Sequence, residues 1–99
     1  MEQSMLKRLE VSKVRLAEID KELLDENVIK DIKRFRDLSK ERSNLEPVVE
    51  GYERYLRIAS DIKDAEAMIG DSDPEIVELG HSEHKRLLEE EEALCQRLK

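Results

Sequence analysis

FRDLSKERSNLEPVVEGYERY, residues 35–55, lies at the centre of a long amphipathic helix. Phe35, Leu38, Leu45, Val49, Tyr52, Leu56 and Ala59 recur at steps of three, four and seven. Arg42 fills the one skipped place, so a single apolar stripe runs down one helical face. The flanks of the stripe are almost wholly charged. Such a helix cannot bury its stripe alone, so its cover comes from elsewhere in the chain or from another chain.

The helix is expected to run from near Lys30 to Ile69, just before Gly70, a length of about 60 Å. Pro47 lacks an amide proton and disfavours helical geometry at Glu46, and Gly51 is a weak helix former. The stripe nevertheless holds its phase on both sides of Pro47, which a loop would have no reason to do. The spacing therefore predicts one helix, kinked near Pro47. Beyond Tyr52 the apolar surface widens: Tyr55, Ile58, Ile62, Ala65 and Ile69 form a second row.

Upstream, Met5, Leu9, Leu16, Ile19 and Leu23 make a heptad-like pattern with Ser12 in its polar slot, predicting a first helix over 4–24. Asp25, Glu26 and Asn27 break that pattern, with Asn27 as turn or cap residue, and the short connection turns the second helix back antiparallel. At about 32 Å the first helix covers only about half of the second. Downstream, Gly70 ends the long helix, Asp73 is a good N-cap and Pro74 suits a first helical position. Ile76, Leu79, Leu87, Leu94 and Leu98 then form a stripe over 74–98, where Gly80 marks either a close helix approach or local fraying. The expected fold is all-α: an elongated, antiparallel, three-helix coiled-coil-like domain, with one short helix on each half of the long one.

Composition agrees. The 99 residues are 43% charged and 3% aromatic, without Trp, which suits extended helices better than a sheet or a deep catalytic core. A net charge of −7 argues against a generic nucleic-acid binder. No apolar run approaches a membrane span and no leader pattern opens the chain, so a soluble, cytoplasmic protein is expected. Cys95 is the sole cysteine, so no intrachain disulfide forms, and it reads as a small packing residue.

Signatures of chemistry are missing. The glycines are isolated, which excludes a phosphate-cradling loop, and no Ser-His or Cys-His pairing stands out. His81 and His84 share a helical face but have no third ligand at a natural spacing, so no metal site is assigned. Glu89–Glu92 spreads around a helix as a solvated face. No cofactor, small-molecule substrate or enzymatic activity is expected.

One surface departs from the acidic background. From Lys30 to Arg42, six basic residues (Lys30, Lys33, Arg34, Arg36, Lys40 and Arg42) face three acidic ones (Asp31, Asp37 and Glu41), a balance of +3. Lys30, Lys33, Arg34 and Arg36 are the candidate contact residues, for RNA phosphates or for an acidic partner. The plainer alternative is an ordinary charged helix face.

These blocks resemble the N-terminal helical domain of bacterial class-I peptide chain release factors, closest to the type that reads UAG and UAA. The resemblance is most specific in LSKE (38–41) followed by LEPVVEGY (45–52). It extends outward through LKRLEVSKVRLAEIDKELLD (6–25), DIKDAEAMI (61–69) and DSDPEIVELGHSEHKRLLEEEEAL (71–94). It implies translation termination, in which peptide release belongs to a Gly-Gly-Gln tripeptide and codon reading to a Pro-x-Thr tripeptide. Neither is present in these residues, so the resemblance implies that 1–99 is the N-terminal domain, without the codon-reading and release domains. It also implies the ribosome as partner, at the large-subunit stalk base, and possible communication with the class-II release factor GTPase. The competing reading is a coiled-coil adaptor or homodimerisation domain whose stripes pair between chains. An RNA-binding helical hairpin is disfavoured by the overall acidity.

Overall fold

The computed structural model describes residues 1–99. Every regular element is a helix: α1 Gln3–Glu22, α2 Glu26–Lys30, α3 Ile32–Ile69 and α4 Pro74–Leu98. The chain divides within α3 into two units, Met1–Tyr52 and Glu53–Lys99.

In the first unit, partners pair in reverse order along α1 and α3. Glu10 meets Tyr52, Arg15 meets Glu41 and Glu22 meets Arg34, so the two helices run antiparallel. Ile19, Val28 and Leu38 form a buried cluster against which Leu23 and Leu45 pack. Met5, Leu9, Val49 and Tyr52 are also buried. Ile19 exposes none of its surface, and burial of this kind contributes roughly 1.5–3 kcal/mol per side chain. The polar slot at Ser12 is satisfied locally, its hydroxyl donating to the Arg8 carbonyl at 3.0 Å. The buried Tyr52 ring keeps its hydroxyl paired by donating to the Glu10 carboxylate at 2.8 Å.

The connection between α1 and α3 differs from the expected turn. The short helix α2 occupies it, and Asn27 lies inside that helix rather than capping it. Asp25 is the cap, its carboxylate accepting the Asn27 N–H at 2.8 Å. Asp31 repeats the device, accepting the Arg34 N–H at 3.1 Å, and α3 accordingly starts at Ile32 rather than Lys30. Aspartate is among the strongest N-caps, while five residues are too few to show a helical period. The first helix also stops early. The Leu24 N–H bonds the Lys21 carbonyl, three residues back, which tightens the chain after Glu22.

In the second unit, α4 runs antiparallel to the C-terminal part of α3, with Gly80 against Met68 and Ile69 and His84 facing Glu66. Ile58, Ile62, Ala65, Leu87 and Leu94 form the core, with Tyr55 and Leu98 packed on it. The buried positions here belong to the second apolar row, whereas Leu56 of the first stripe is exposed. Leu79 is exposed as well, and Gly80 takes the inward place on α4. A Cβ at that position would stand 2.9 Å from both the Met68 Cβ and the Ile69 nitrogen. Of the two readings of Gly80, close approach is therefore the correct one. Asp73 caps α4 by accepting the Glu75 N–H at 2.9 Å, and Pro74 follows as the first helical residue.

Candidate interaction surface

The four basic candidates fall around the start of α3. Lys30 ends α2, Asp31 provides the cap, and Lys33, Arg34 and Arg36 lie in the first turns of the long helix. All four are exposed. The first turn of α3 contains no acidic residue, so Lys33 and Arg34 stand at the positive end of the helix dipole. Cations there are disfavoured by roughly 0.3–1 kcal/mol each. The Asp31 cap offsets part of this, yet the arrangement is not what local helix stability alone would select.

Neighbouring cations separate into paired and unpaired sets. Arg15 grips Glu41 through two hydrogen bonds, Nε to Oε2 at 2.7 Å and NH2 to Oε1 at 2.9 Å. Those bonds hold the Glu41 carboxyl below its ordinary range and keep Arg15 in its charged form. Arg42 donates to Asp20 at 2.6 Å and to Glu46 at 2.8 Å, so it belongs to the α1–α3 seam rather than to a free basic face. Arg34 approaches Glu22 at 3.8 Å. By contrast, no carboxylate of the chain stands within ion-pair distance of Lys30, Lys33, Arg36 or Lys40.

Lys33 and Arg34 come together in an open groove of about 350 Å³, lined also by Arg15, Asp31, Asp37, Leu38 and Glu41. Lys30 and Arg36 lie outside its lining. The groove's mixed charge fits a polar contact better than a phosphate cradle.

The surface has a second component that the stripe pattern does not reveal. Leu24, Ile29 and Ile32 belong to no helical stripe, and each is at least half exposed. Phe35, assigned to the core stripe, is 40% exposed. The available signal was the position of three aliphatic residues outside any apolar face, beside two capping aspartates.

In the second unit the ion pairs centre on Arg86 and His84. Arg86 bridges Glu83 and Glu90 at 2.6 and 2.7 Å. His84 faces Glu66 at 3.8 Å while His81 is exposed, and no group of three His, Cys, Asp or Glu side chains converges as a metal set. Cys95 is half-buried, and burial together with the nearby Glu91 carboxylate pushes the Tyr55 hydroxyl upward. No helix is long and apolar enough to cross a membrane.

Known proteins share much of this chain. The PCRF domain matches residues 12–99. Peptide chain release factor 1 of Mycoplasma capricolum is 46% identical over 76 residues, which cover 76% of this chain and 21% of that protein. Proteins of the same name from Solidesulfovibrio magneticus and Geobacillus kaustophilus are 39% and 38% identical over 95 and 96 residues, in each case 96% of this chain and 27% of the relative. The chain thus spans about a quarter of the length of these relatives. No solved structure matches it.

Proposed function

The chain belongs to the PCRF domain family, and on that footing we propose that it is the N-terminal, non-catalytic domain of a class-I peptide chain release factor of the UAG/UAA-reading type. Its role is contact with the ribosome during translation termination, in the cytoplasm where ribosomes work. The observation that carries this reading is the match over residues 12–99, joined to relatives all named peptide chain release factor 1. Codon reading and peptide release belong to other parts of such a protein.

The geometry supports a contact role. Neither core contains a buried polar or charged side chain, and short ion-pair hydrogen bonds join α1 to α3 at Arg15–Glu41 and Arg42–Asp20. A coiled-coil homodimer would need free stripes, whereas α1 and α4 cover the stripe within each unit. Lys30, Lys33, Arg34 and Arg36 form the contact surface, directed at the large-subunit stalk base and at the class-II release factor GTPase that communicates with it.

The test is co-sedimentation of the chain with ribosomes across a salt series. Lys33→Glu, Arg34→Glu and Arg36→Glu combined should weaken binding and flatten its salt dependence. Wild-type protein that fails to sediment with ribosomes at low salt would end this reading.

A further inference from the structure

The exposed apolar residues and the unpaired cations share one end of the first unit. Of the nine large apolar side chains exposed in the chain, four fall between residues 24 and 35: Leu24 at 82%, Ile29 at 51%, Ile32 at 72% and Phe35 at 40%. Lys30, Lys33 and Arg36 are interleaved with them, and none has an intramolecular carboxylate partner. Of the acids in the same stretch, Asp25 and Asp31 accept backbone N–H groups at helix N-termini, and Glu26 lies in the first turn of α2. Exposed apolar side chains interleaved with cations that have no intramolecular carboxylate partner therefore occupy residues 24–36, on a chain whose net charge is −7.

We infer that this end of the first unit docks a protein partner through an apolar pocket rimmed by carboxylates, with Ile32 as the central anchor and Lys33 and Arg36 meeting the rim. The inference deepens the contact role proposed above and rests on that reading for its setting, though not for its chemistry. An apolar centre within a charged rim is the usual anatomy of a protein interface, and complementary charge speeds encounter and fixes register. RNA phosphates would satisfy the cations alone. RNA readers use aromatic or guanidinium planes to stack bases, and three of the four apolar residues here are aliphatic. A symmetric second copy would bring the same cations face to face. A contact between this end and the acidic Glu89–Glu92 stretch of another copy would be heterologous, with no reason to close.

The experiment titrates the 99-residue chain with a helical peptide of about four turns, bearing Leu on one face and Glu along both flanks. Nuclear magnetic resonance shifts of the chain report where the peptide binds. Binding should centre on Leu24, Ile29, Ile32 and Phe35. Ile32→Ser should weaken it about tenfold, as should Lys33→Glu with Arg36→Glu. The same peptide with Lys for Glu should not bind, and Leu88→Ser, at an exposed leucine of the second unit, should change nothing. Unchanged far-UV helicity of each variant separates a weakened interface from an unfolded chain.

Four results overturn the inference. They are no peptide binding, tighter binding of a single-stranded RNA oligonucleotide that survives Ile32→Ser, tighter binding to phosphatidylserine vesicles, and a sedimenting dimer abolished by Ile32→Ser. Peptide binding without ribosome sedimentation leaves this surface standing and removes the ribosomal reading. Charge-dependent ribosome sedimentation without peptide binding does the reverse.

Discussion

Gly80 shows how much one missing side chain can decide. Elsewhere in a helix, glycine to alanine gains about 1 kcal/mol of helix propensity. At Gly80 the added Cβ would meet the Met68 Cβ and the Ile69 nitrogen at 2.9 Å and the Ala65 carbonyl oxygen at 3.1 Å. Two of those three atoms are backbone, which cannot swing aside. We expect Gly80→Ala to force α4 away from α3 and to destabilise the protein by about 1–3 kcal/mol, read as a lower midpoint in thermal unfolding. A raised midpoint would mean that the helices separate at no cost. The sequence stripe placed Leu79 inward instead, because a hydrophobic pattern scores side chains and a glycine has none to score. The basic candidates show the matching limit at the site. Their types and positions were readable, but pairing was not: Arg42 belongs to a seam with Asp20 and Glu46, while Lys33 and Arg36 have no carboxylate partner.

At the scale of elements, what could be read depended on length. The stripes of α1, α3 and α4 run through several turns, so their periodicity outweighed local interruptions, including Pro47. Helix α2 has five residues and owes its start to Asp25, a signal equally consistent with a simple turn. The exposed aliphatic residues around it were invisible for the same reason, since no stripe assigns them a side. Pro47 offers a test of the long element. It is exposed inside a continuous α3, where it removes the amide that would bond to the Ser43 carbonyl, and proline in a helix interior costs on the order of 3 kcal/mol. Pro47→Ala should therefore raise the unfolding midpoint, by about 1–3 kcal/mol of stability, with no change in helix boundaries. A fall in the midpoint would mean that the packing of Val48 and Val49 depends on the local geometry that proline imposes.

For the molecule as a whole, the governing fact is that one helix belongs to two cores. The buried residues of α3 up to Tyr52 pack with α1 and α2, and those from Glu53 onward with α4. The widened apolar surface beyond Tyr52 was legible in the sequence. Which row is buried was not, since that depends on where α4 lies, and burial passes from Val49 and Tyr52 to Ile58, Ile62 and Ala65 while Leu56 stays exposed. A long helix is stable in water mainly through such packing, so each part of α3 relies on its own partner helix. Ile19, wholly buried in the first core, separates the two contributions. Ile19→Ala should cost about 2–5 kcal/mol through reduced burial and the cavity left behind. If the units open separately, amide hydrogen exchange should accelerate around Leu38 and Leu45, while the amides of Ile58, Ile62 and Ala65 keep their protection. Uniform acceleration across α3 would instead show that the helix transmits the destabilisation and that the two cores unfold as one. The first outcome is expected, because neither core cluster draws a residue from the other unit.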